Sequence, residues 1–174
     1  MQLKRRTTMK PVIVTNGYPG SGKDEFAKIL GKHTRVYKSS IINFAKMITE
    51  MLGLDNEKDA RYRELLCRLK SLFDWYNDYP FRDMTELVEQ YRTDNYYDVL
   101  IIDIRDPEQL ERARREWKAT TVYISSPNAK RFDNPADNNV ENFNYDYYVY
   151  NPGDESFEEV VRRFKEVVLD GKPA

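Results

Sequence analysis

The sequence predicts a three-layer α/β domain in which a doubly wound parallel sheet of five strands carries a helical insert. Three observations predict this fold class. Apolar patterns typical of strands and of helices alternate along the 174 residues. Between Val12 and Phe26, a β-branched run, a Gly/Pro-rich turn and a helical pattern follow one another. Val99–Ile102 is apolar at every position, as expected of a strand covered on both faces.

The first three predicted elements are a strand, a helix and a second strand. Residues 11–16 (PVIVTN) are apolar and β-branched, and helical spacing of apolar residues follows as far as Gly31, a typical helix stop. Arg35–Lys38 predicts a short second strand that ends at Ser39 and Ser40.

Residues 41–95 are predicted to be helical, with no strand. Asp55 or Asn56 would cap the second helix of this stretch, and Asp83 with Glu86 has the spacing of a capping box before the third. The stretch is longer than a plain crossover between two parallel strands needs. We therefore expect a helical subdomain that stands over the glycine-rich turn.

The remaining strands follow at short intervals. Residues 98–104 predict the central strand, after which Asp106 caps a helix that has Pro107 in its first turn. Thr121–Ile124 and Tyr147–Tyr150 predict the fourth and fifth strands.

A long polar loop and a last helix complete the predicted fold. Residues 125–143 are rich in Asn, Asp and Pro, and loops of this length are usually functional or mobile. Ser156 and Glu159 are predicted to cap the last helix, whose apolar residues recur with helical spacing.

Composition indicates a single domain, residues 11–174, with no overall attraction to polyanions. The chain has 28 basic and 29 acidic residues, a net charge of -1 that argues against a nucleic-acid partner. No apolar run reaches the ~18 residues of a membrane span, and residues 1–10 lack the apolar stretch of a signal peptide. We expect a cytoplasmic protein with no membrane partner. Residues 1–10 are expected to form a flexible arm, unless Met9 is an alternative start.

The turn after the first strand matches the phosphate-binding template G-x-x-x-x-G-K-[ST]. Gly17, Gly22 and Lys23 fit the template, and Asp24 stands where Ser or Thr is usual. Glycines let successive N–H groups curl around a polyphosphate, and the positive end of the following helix faces the anion. Lys23 adds a charge that reaches the phosphates. We predict nucleotide binding; the alternative is an ordinary glycine-rich turn between a strand and a helix.

Asp103 ends the predicted central strand, a position typical of the Walker B carboxylate that holds magnesium directly or through water. The alternative is that this carboxylate caps a neighbouring loop. Ligands of doubly wound sheets bind at the carboxyl ends of the strands. Four features should meet there in one crevice: Gly17–Asp24, Ser39-Ser40, Asp103–Arg105 and the loop 125–143.

Three segments carry a resemblance to a known family: GYPGSGKD, IIDIRDPEQLE and NNVENFNYDYYVYNPGDESFEEVVRRF, in this order. Together they resemble the nucleoside monophosphate kinase superfamily and look most like phage-type deoxynucleoside monophosphate kinases, whose phosphate loop also ends in Lys-Asp. Phosphomevalonate kinases of the animal type share this ending, as do kinases thought to modify hydroxymethylated bases in phage DNA. The resemblance spans residues 11–165 and implies a P-loop kinase fold.

The resemblance implies ATP and Mg²⁺ as cofactors and assigns site residues position by position. The ATP phosphates would be cradled by Gly17, Tyr18, Pro19, Gly20, Ser21, Gly22, Lys23 and Asp24. The magnesium ligands would be Asp24 and Asp103. The acceptor would be bound by Ser40, Lys46, Arg63 and Arg105. The catalytic cations would be Lys23, Arg105 and Arg131.

The loop holding Lys130 and Arg131 looks like the lid of such kinases, although it is short and poor in cations. The helical insert offers further acceptor-site candidates in Arg61, Arg68 and Arg82. With Arg63 these make four candidates in the insert, and solvated helix faces explain most of the four more simply.

Residues and resemblance together predict an ATP-dependent phosphotransferase for a (deoxy)nucleoside monophosphate, which is a small-molecule substrate. Two alternatives stay open: a kinase that acts on a modified base within DNA, and a nucleotide-binding regulatory module without transferase activity. The base-reading motif of GTPases, Asn-Lys-x-Asp, is not matched, because Asn56–Asp59 has the wrong order. The acceptor group, phosphate or hydroxyl, also stays open, as does a homodimer formed through exposed tyrosines.

Overall fold

A parallel sheet of five strands organises the computed structural model, which describes residues 9–54, 59–131 and 139–173. The strands are β1 Val12–Asn16, β2 Val36–Ser40, β3 Val99–Asp103, β4 Thr120–Ser125 and β5 Tyr147–Tyr150. Their order in space is β2-β3-β1-β4-β5, and each neighbouring pair is parallel. The predicted doubly wound sheet is confirmed.

Helices cover the sheet in the predicted alternation. Within the described ranges they are α1 Lys23–Gly31, α2 Asn43–Met51, α3 Ala60–Asn77, α4 Tyr79–Thr93, α5 Pro107–Glu116 and α6 Ser156–Phe164, which continues as the π-helical segment Lys165–Leu169. Three of them, α2, α3 and α4, lie between β2 and β3 and form the helical insert.

Alternate residues of the central strands enter two cores, one on each face of the sheet. Val14 and Ile102 belong to the core under α4 and α5, whereas Ile13 and Ile101 belong to the core under α1 and α6. All five residues of β1 are buried. Burying one such aliphatic side chain contributes roughly 1.5–3 kcal/mol. The loops that follow β1 and β3 therefore start from rigid strands.

Two predicted helix caps are wrong. The helix α4 begins at Tyr79, so Asp83 lies inside it; the chain turns at Asp78, which adopts a left-handed conformation with φ 57°, and Pro80 sits in the first turn. Proline is favoured there because its missing N–H has no helical partner to lose. At α6 the predicted cap is Ser156 with Glu159, but the helix begins at Ser156 itself. The carboxylate at its start is that of Asp154, which accepts hydrogen bonds from the N–H and the hydroxyl of Ser156.

The helix α3 has its cap at Asp59, whose side chain accepts from the N–H of Tyr62 at 2.7 Å. The predicted caps Asp55 and Asn56 lie outside the described residues. At α5 the prediction is confirmed, since the side chain of Asp106 accepts hydrogen bonds from the first-turn amides.

The first described residues are anchored to the domain. Lys10 donates from Nζ to the carbonyl oxygens of Tyr91 at 2.9 Å and Asp94 at 2.8 Å. Residues 1–8 of the predicted arm lie outside the described residues. Across the described ranges, none of the helices combines the length and the apolarity that crossing a bilayer requires.

Candidate active site

The loop between β1 and α1 has the backbone shape of an anion cradle. Gly17, Gly20 and Gly22 all have positive φ, at 145°, 80° and 95°. Gly22 starts α1 without a side-chain cap, and the N–H of Phe26 makes the first helical hydrogen bond to its carbonyl. The amides of the first turn are therefore left to an anion, toward which the helix also directs its positive dipole end.

Two buried asparagines hold this loop. Asn16 accepts from the N–H of Gly17 at 2.8 Å and donates from Nδ2 to the Tyr145 hydroxyl at 2.7 Å. Asn151, directly after β5, donates from Nδ2 to the carbonyl of Ser21 at 3.1 Å. Buried polar groups of this kind are expensive to leave unpaired. The shape of the loop is therefore set by the last residue of β1, which precedes it, and by the residue that follows the edge strand β5.

Close approach makes two of the glycines necessary. A Cβ at Gly17 would lie 2.3 Å from the carbonyl oxygen of Ile124, and a Cβ at Gly22 would lie 2.1 Å from Nδ2 of Asn151. Side-chain carbon atoms do not approach other atoms so closely, and both positions also have positive φ. The template glycines are thus required by packing as well as by backbone conformation.

Lys23, the first residue of α1, turns its side chain back over the loop. Its Nζ donates to the carbonyl oxygens of Gly17 at 2.6 Å and Tyr18 at 3.1 Å. Burial of the ammonium group lowers the pKa of Lys23 from its ordinary 10.5 to about 8, although the nearby Asp103 carboxylate works in the opposite direction. An anion in the cradle would stabilise the charged form.

The two predicted metal ligands face each other across a lysine. Lys38 on β2 donates from Nζ to Oδ1 of Asp24 and lies 2.9 Å from Oδ2 of Asp103. The other oxygen of Asp103 accepts from the Thr15 hydroxyl. The hydrogen bond from Lys38 is the main reason why the pKa of Asp24 lies below its ordinary value. The carboxylate of Asp24 is therefore held in its charged, acceptor form.

This donor set fits a magnesium ion. Mg²⁺ usually takes one or two carboxylates, phosphate oxygens of the substrate and several waters rather than an all-protein cage. Consistently, the described residues contain no group of three or more His, Cys, Asp or Glu side chains that could enclose a metal. Asp24 and Asp103 would supply the protein oxygens.

Three of the predicted acceptor-site residues lie near this centre. Ser40, the last residue of β2, pairs in register with Asp103. Lys46 on α2 and Arg105 after β3 are close enough for their charges to act on the centre: Lys46 helps to lower the pKa of Asp24, and Arg105 helps to lower that of Lys23. The centre thus carries several positive charges suited to phosphates.

The arginines of the insert that were predicted as acceptor-site candidates make the following contacts within the insert or face solvent. Arg63 lies in the first turn of α3, where its N–H donates to the carbonyl of Asp59. Arg68 pairs with Glu64 on an exposed helix face. Arg82 donates to the carbonyl of Asn77. Arg61 is exposed.

The start of the predicted lid-like loop packs on the phosphate loop. The N–H of Lys130 donates to the carbonyl of Pro19 at 2.8 Å. The guanidinium of Arg131 lies 5.9 Å from the ring centroid of Tyr18. Residues 132–138 of this loop lie outside the described residues. Arg131 is therefore at the rim of the nucleotide cradle.

A cavity of about 440 Å³ lies between α3 and α5, next to the loop that carries Arg105. Gln109, only 6% exposed, lines it and donates from Nε2 to Asp74 at 3.1 Å. Its Oε1 is buried and has no hydrogen-bond partner among the described residues. The indole of Trp75, 80% exposed, stands at the same cavity. The cavity therefore offers an aromatic face, and a buried amide oxygen without a partner among the described residues belongs to one of its lining residues.

Sequence reasoning missed Lys38, Asn151 and Gln109. Lys38 and Asn151 did have one usable sequence signal, namely their position relative to a predicted strand. Lys38 belongs to such a strand and Asn151 follows one, both toward the carboxyl edge of the sheet, where ligands bind. Gln109 gave no such signal, because its burial depends on how α3 packs against α5.

Comparison with known proteins supports the fold. No family model and no curated protein matches this chain. Similar solved structures include shikimate kinase from Bacteroides thetaiotaomicron, with a TM-score of 0.54, 15% identity and coverage of 91% of this chain and 98% of that one. A provisionally named kinase from Chloroflexus aurantiacus has a TM-score of 0.55, 12% identity and coverage of 95% and 100%. The chain has the α/β fold of the P-loop kinases.

Proposed function

We propose that the protein is an ATP- and Mg²⁺-dependent phosphotransferase that phosphorylates a (deoxy)nucleoside monophosphate. One observation carries this proposal: the glycine cradle with Lys23 stands beside the carboxylates of Asp24 and Asp103 at the carboxyl edge of the sheet. An ordinary strand-to-helix turn needs neither a lysine folded over its carbonyls nor a facing carboxylate pair.

The residues of the chain would mainly position and neutralise the reacting groups. Main-chain amides after Gly22 would bind the β- and γ-phosphates, and Lys23 would follow the charge of the moving phosphoryl group. Asp24 and Asp103 would hold Mg²⁺, which would supply positive charge to neutralise the phosphates. Lys23 would leave the loop carbonyls as the phosphates arrive.

The acceptor would occupy the other side of the centre. Arg105 and Lys46 would bind its phosphate, whose oxygen is largely deprotonated at neutral pH and needs no general base. The adjoining cavity would take the nucleoside, with Trp75 against the base and the Gln109 side chain in the wall of the cavity.

A coupled ADP-release assay against common ribo- and deoxynucleoside monophosphates tests this function. Shikimate, the substrate named for one structural neighbour, and duplex DNA containing hydroxymethylated bases belong in the same panel. We expect turnover with at least one nucleoside monophosphate. Turnover only with shikimate or with DNA would replace the proposed acceptor, and ATP binding without turnover would favour a regulatory module.

Two further expectations belong to the proposal. A cytoplasmic location would give the enzyme access to nucleotide pools. A homodimer would bury the exposed apolar residues Leu72 and Tyr76 of α3. Sedimentation velocity at several protein concentrations tests the dimer, and a single monomeric species at all concentrations would contradict it.

A further inference from the structure

One lysine ties together the two carboxylates that the proposed function assigns to Mg²⁺. Nζ of Lys38 contacts both Asp24 and Asp103. Asp24 is the second residue of α1 and Asp103 ends β3, so without this lysine the two carboxylates would face each other as like charges. The lysine and a metal ion would therefore bind to the same oxygens.

The strand holds Lys38 in this position. Lys38 pairs in register with Ile101 inside the parallel ladder of β2 and β3, and its side chain is only 24% exposed. The lysine is therefore a fixed positive charge, whereas a surface lysine on a flexible stem would not be.

We propose that Lys38 competes with Mg²⁺ for Asp24 and Asp103, so that the metal enters this site together with the nucleotide and not alone. This inference rests on the proposed function. Free Mg²⁺ would have to displace an ammonium group that already has two charged partners. Metal-bound ATP brings phosphate oxygens that coordinate the ion and that can also accept hydrogen bonds from the displaced lysine.

Lys38 is therefore a positioning residue that sets the order of binding. It holds Asp24 and Asp103 at a spacing suited to one cation and suppresses metal binding by the protein alone. After the nucleotide has bound, its charge adds to those of Lys23 and Arg105 around the phosphates. This second role would make Lys38 useful to ATP binding even though it opposes free metal.

Mn²⁺ binding followed by electron paramagnetic resonance tests the competition without any turnover. In the absence of nucleotide, we expect Lys38→Met to bind Mn²⁺ more tightly than the wild type, on the order of tenfold, because an unpaired carboxylate pair attracts a cation. Lys38→Arg should keep the wild-type affinity. Lys28→Met, at an exposed position on α1, is the matched control and should also leave the affinity unchanged.

The same titration with a non-hydrolysable ATP analogue supplies the second readout. With the analogue present, we expect Lys38→Met to bind Mn²⁺ no more tightly than the wild type, or more weakly, because the variant lacks a cation for the phosphates. Thermal unfolding establishes that each variant is folded. Equal Mn²⁺ affinity of folded Lys38→Met and wild type without nucleotide would overturn the inference. Failure of the wild type to bind the analogue would instead overturn the proposed function.

Discussion

Asn151 donates a hydrogen bond from Nδ2 to the main-chain carbonyl of Ser21 at 3.1 Å, across 130 positions of the sequence. Its Oδ1 accepts from the N–H of Gly153 at 2.9 Å, so both ends of the amide are used. The residue after the last strand thus supports the phosphate loop after the first. The geometry of the cradle depends on the far end of the sheet.

Replacing Asn151 by Ala should weaken ATP binding more than it weakens the fold. The change leaves the buried carbonyl of Ser21 without its partner, a loss of roughly 1–3 kcal/mol. We expect a clear rise in the dissociation constant for ATP·Mg²⁺ in a calorimetric titration. Asn142→Ala, which removes an exposed hydrogen bond to Asn139, is the matched control. Equal ATP affinities in the two variants would contradict this role.

Two glycine-to-alanine changes, one in this loop and one at the end of α1, should differ in effect: the first should harm ATP binding, and the second should increase stability. Gly22→Ala places a Cβ 2.1 Å from Nδ2 of Asn151 at a φ of +95°, so ATP binding should be lost. Gly31→Ala meets nothing within 4 Å at the end of α1. It should raise the stability by about 0.4–1 kcal/mol, because alanine reduces the entropy of the unfolded chain. Thermal unfolding and ATP titration of both variants check the pair.

Removing the charge of Lys23 should abolish most turnover. Lys23→Ala takes away the cation that follows the transferred phosphoryl group, and we expect a loss of about 10²-fold or more in kcat, by analogy with loss of one preorganised donor. The coupled ADP-release assay measures it with the acceptor identified by the panel. Lys28→Ala, five residues along α1 and exposed, should retain wild-type turnover. Full activity of Lys23→Ala would exclude the proposed role.

The lowered pKa of Lys23 predicts proton uptake when ATP binds. The free protein has a pKa of about 8 at this residue, and phosphates raise it, so above pH 8 binding must protonate Lys23 and the affinity must fall as the pH rises. Calorimetry at pH 8.5 in two buffers of different ionisation enthalpy should detect the uptake. Lys23→Met should abolish it, whereas uptake that persists in this variant would assign it to another group.

The same pKa has a consequence for the stability of the free protein. Because the folded pKa lies below the ordinary 10.5, the folded state binds fewer protons than the unfolded state between pH 8 and 10.5. Below pH 8 the folded state carries the full free-energy cost of burying the charged amine, and this cost decreases as the pH rises from 8 to 10.5. The stability difference between wild type and Lys23→Met should therefore shift in favour of the wild type from pH 8 to pH 10.

Gln109 should affect acceptor choice rather than ATP. Gln109→Leu removes the unmatched Oε1 and the bond to Asp74. We expect a higher KM for the preferred nucleoside monophosphate, with the KM for ATP unchanged, because the proposed function assigns the cavity to the acceptor. Steady-state kinetics with each substrate varied in turn measure this split. A rise confined to the KM for ATP would contradict this role and would assign the cavity to ATP instead of the acceptor.

The parts of the fold with local signals could be predicted from the sequence. The five strands, the start of α1 at Lys23 and the cap of α5 at Asp106 follow from apolar runs and turn residues. The start of α4 was misplaced because the capping-box spacing of Asp83 and Glu86 competes with the signal of the actual start, the left-handed Asp78 followed by Pro80 in the first turn.

The site residues also fall into two groups, those with a local sequence signal and those that depend on contacts far along the chain. Glycine spacing indicated the cradle because adjacent residues form it, and Asp103 could be assigned because it ends a recognisable strand. Lys38 and Asn151 act through partners more than 60 and 100 residues away, Asp103 and Ser21. Such contacts depend on strand register and on the packing of the sheet edge, which apolar periodicity does not encode.

Equilibrium binding of ATP to the purified protein, with and without Mg²⁺, tests most directly whether Gly17–Asp24 cradles a triphosphate beside Asp103. We expect saturable binding of one ATP per chain that is strengthened by Mg²⁺, loses this metal dependence in Asp103→Asn and is absent in Gly22→Ala. No binding of ATP with Mg²⁺ to the folded wild type, or equal binding by Gly22→Ala, would contradict the assignment of this loop as the nucleotide site.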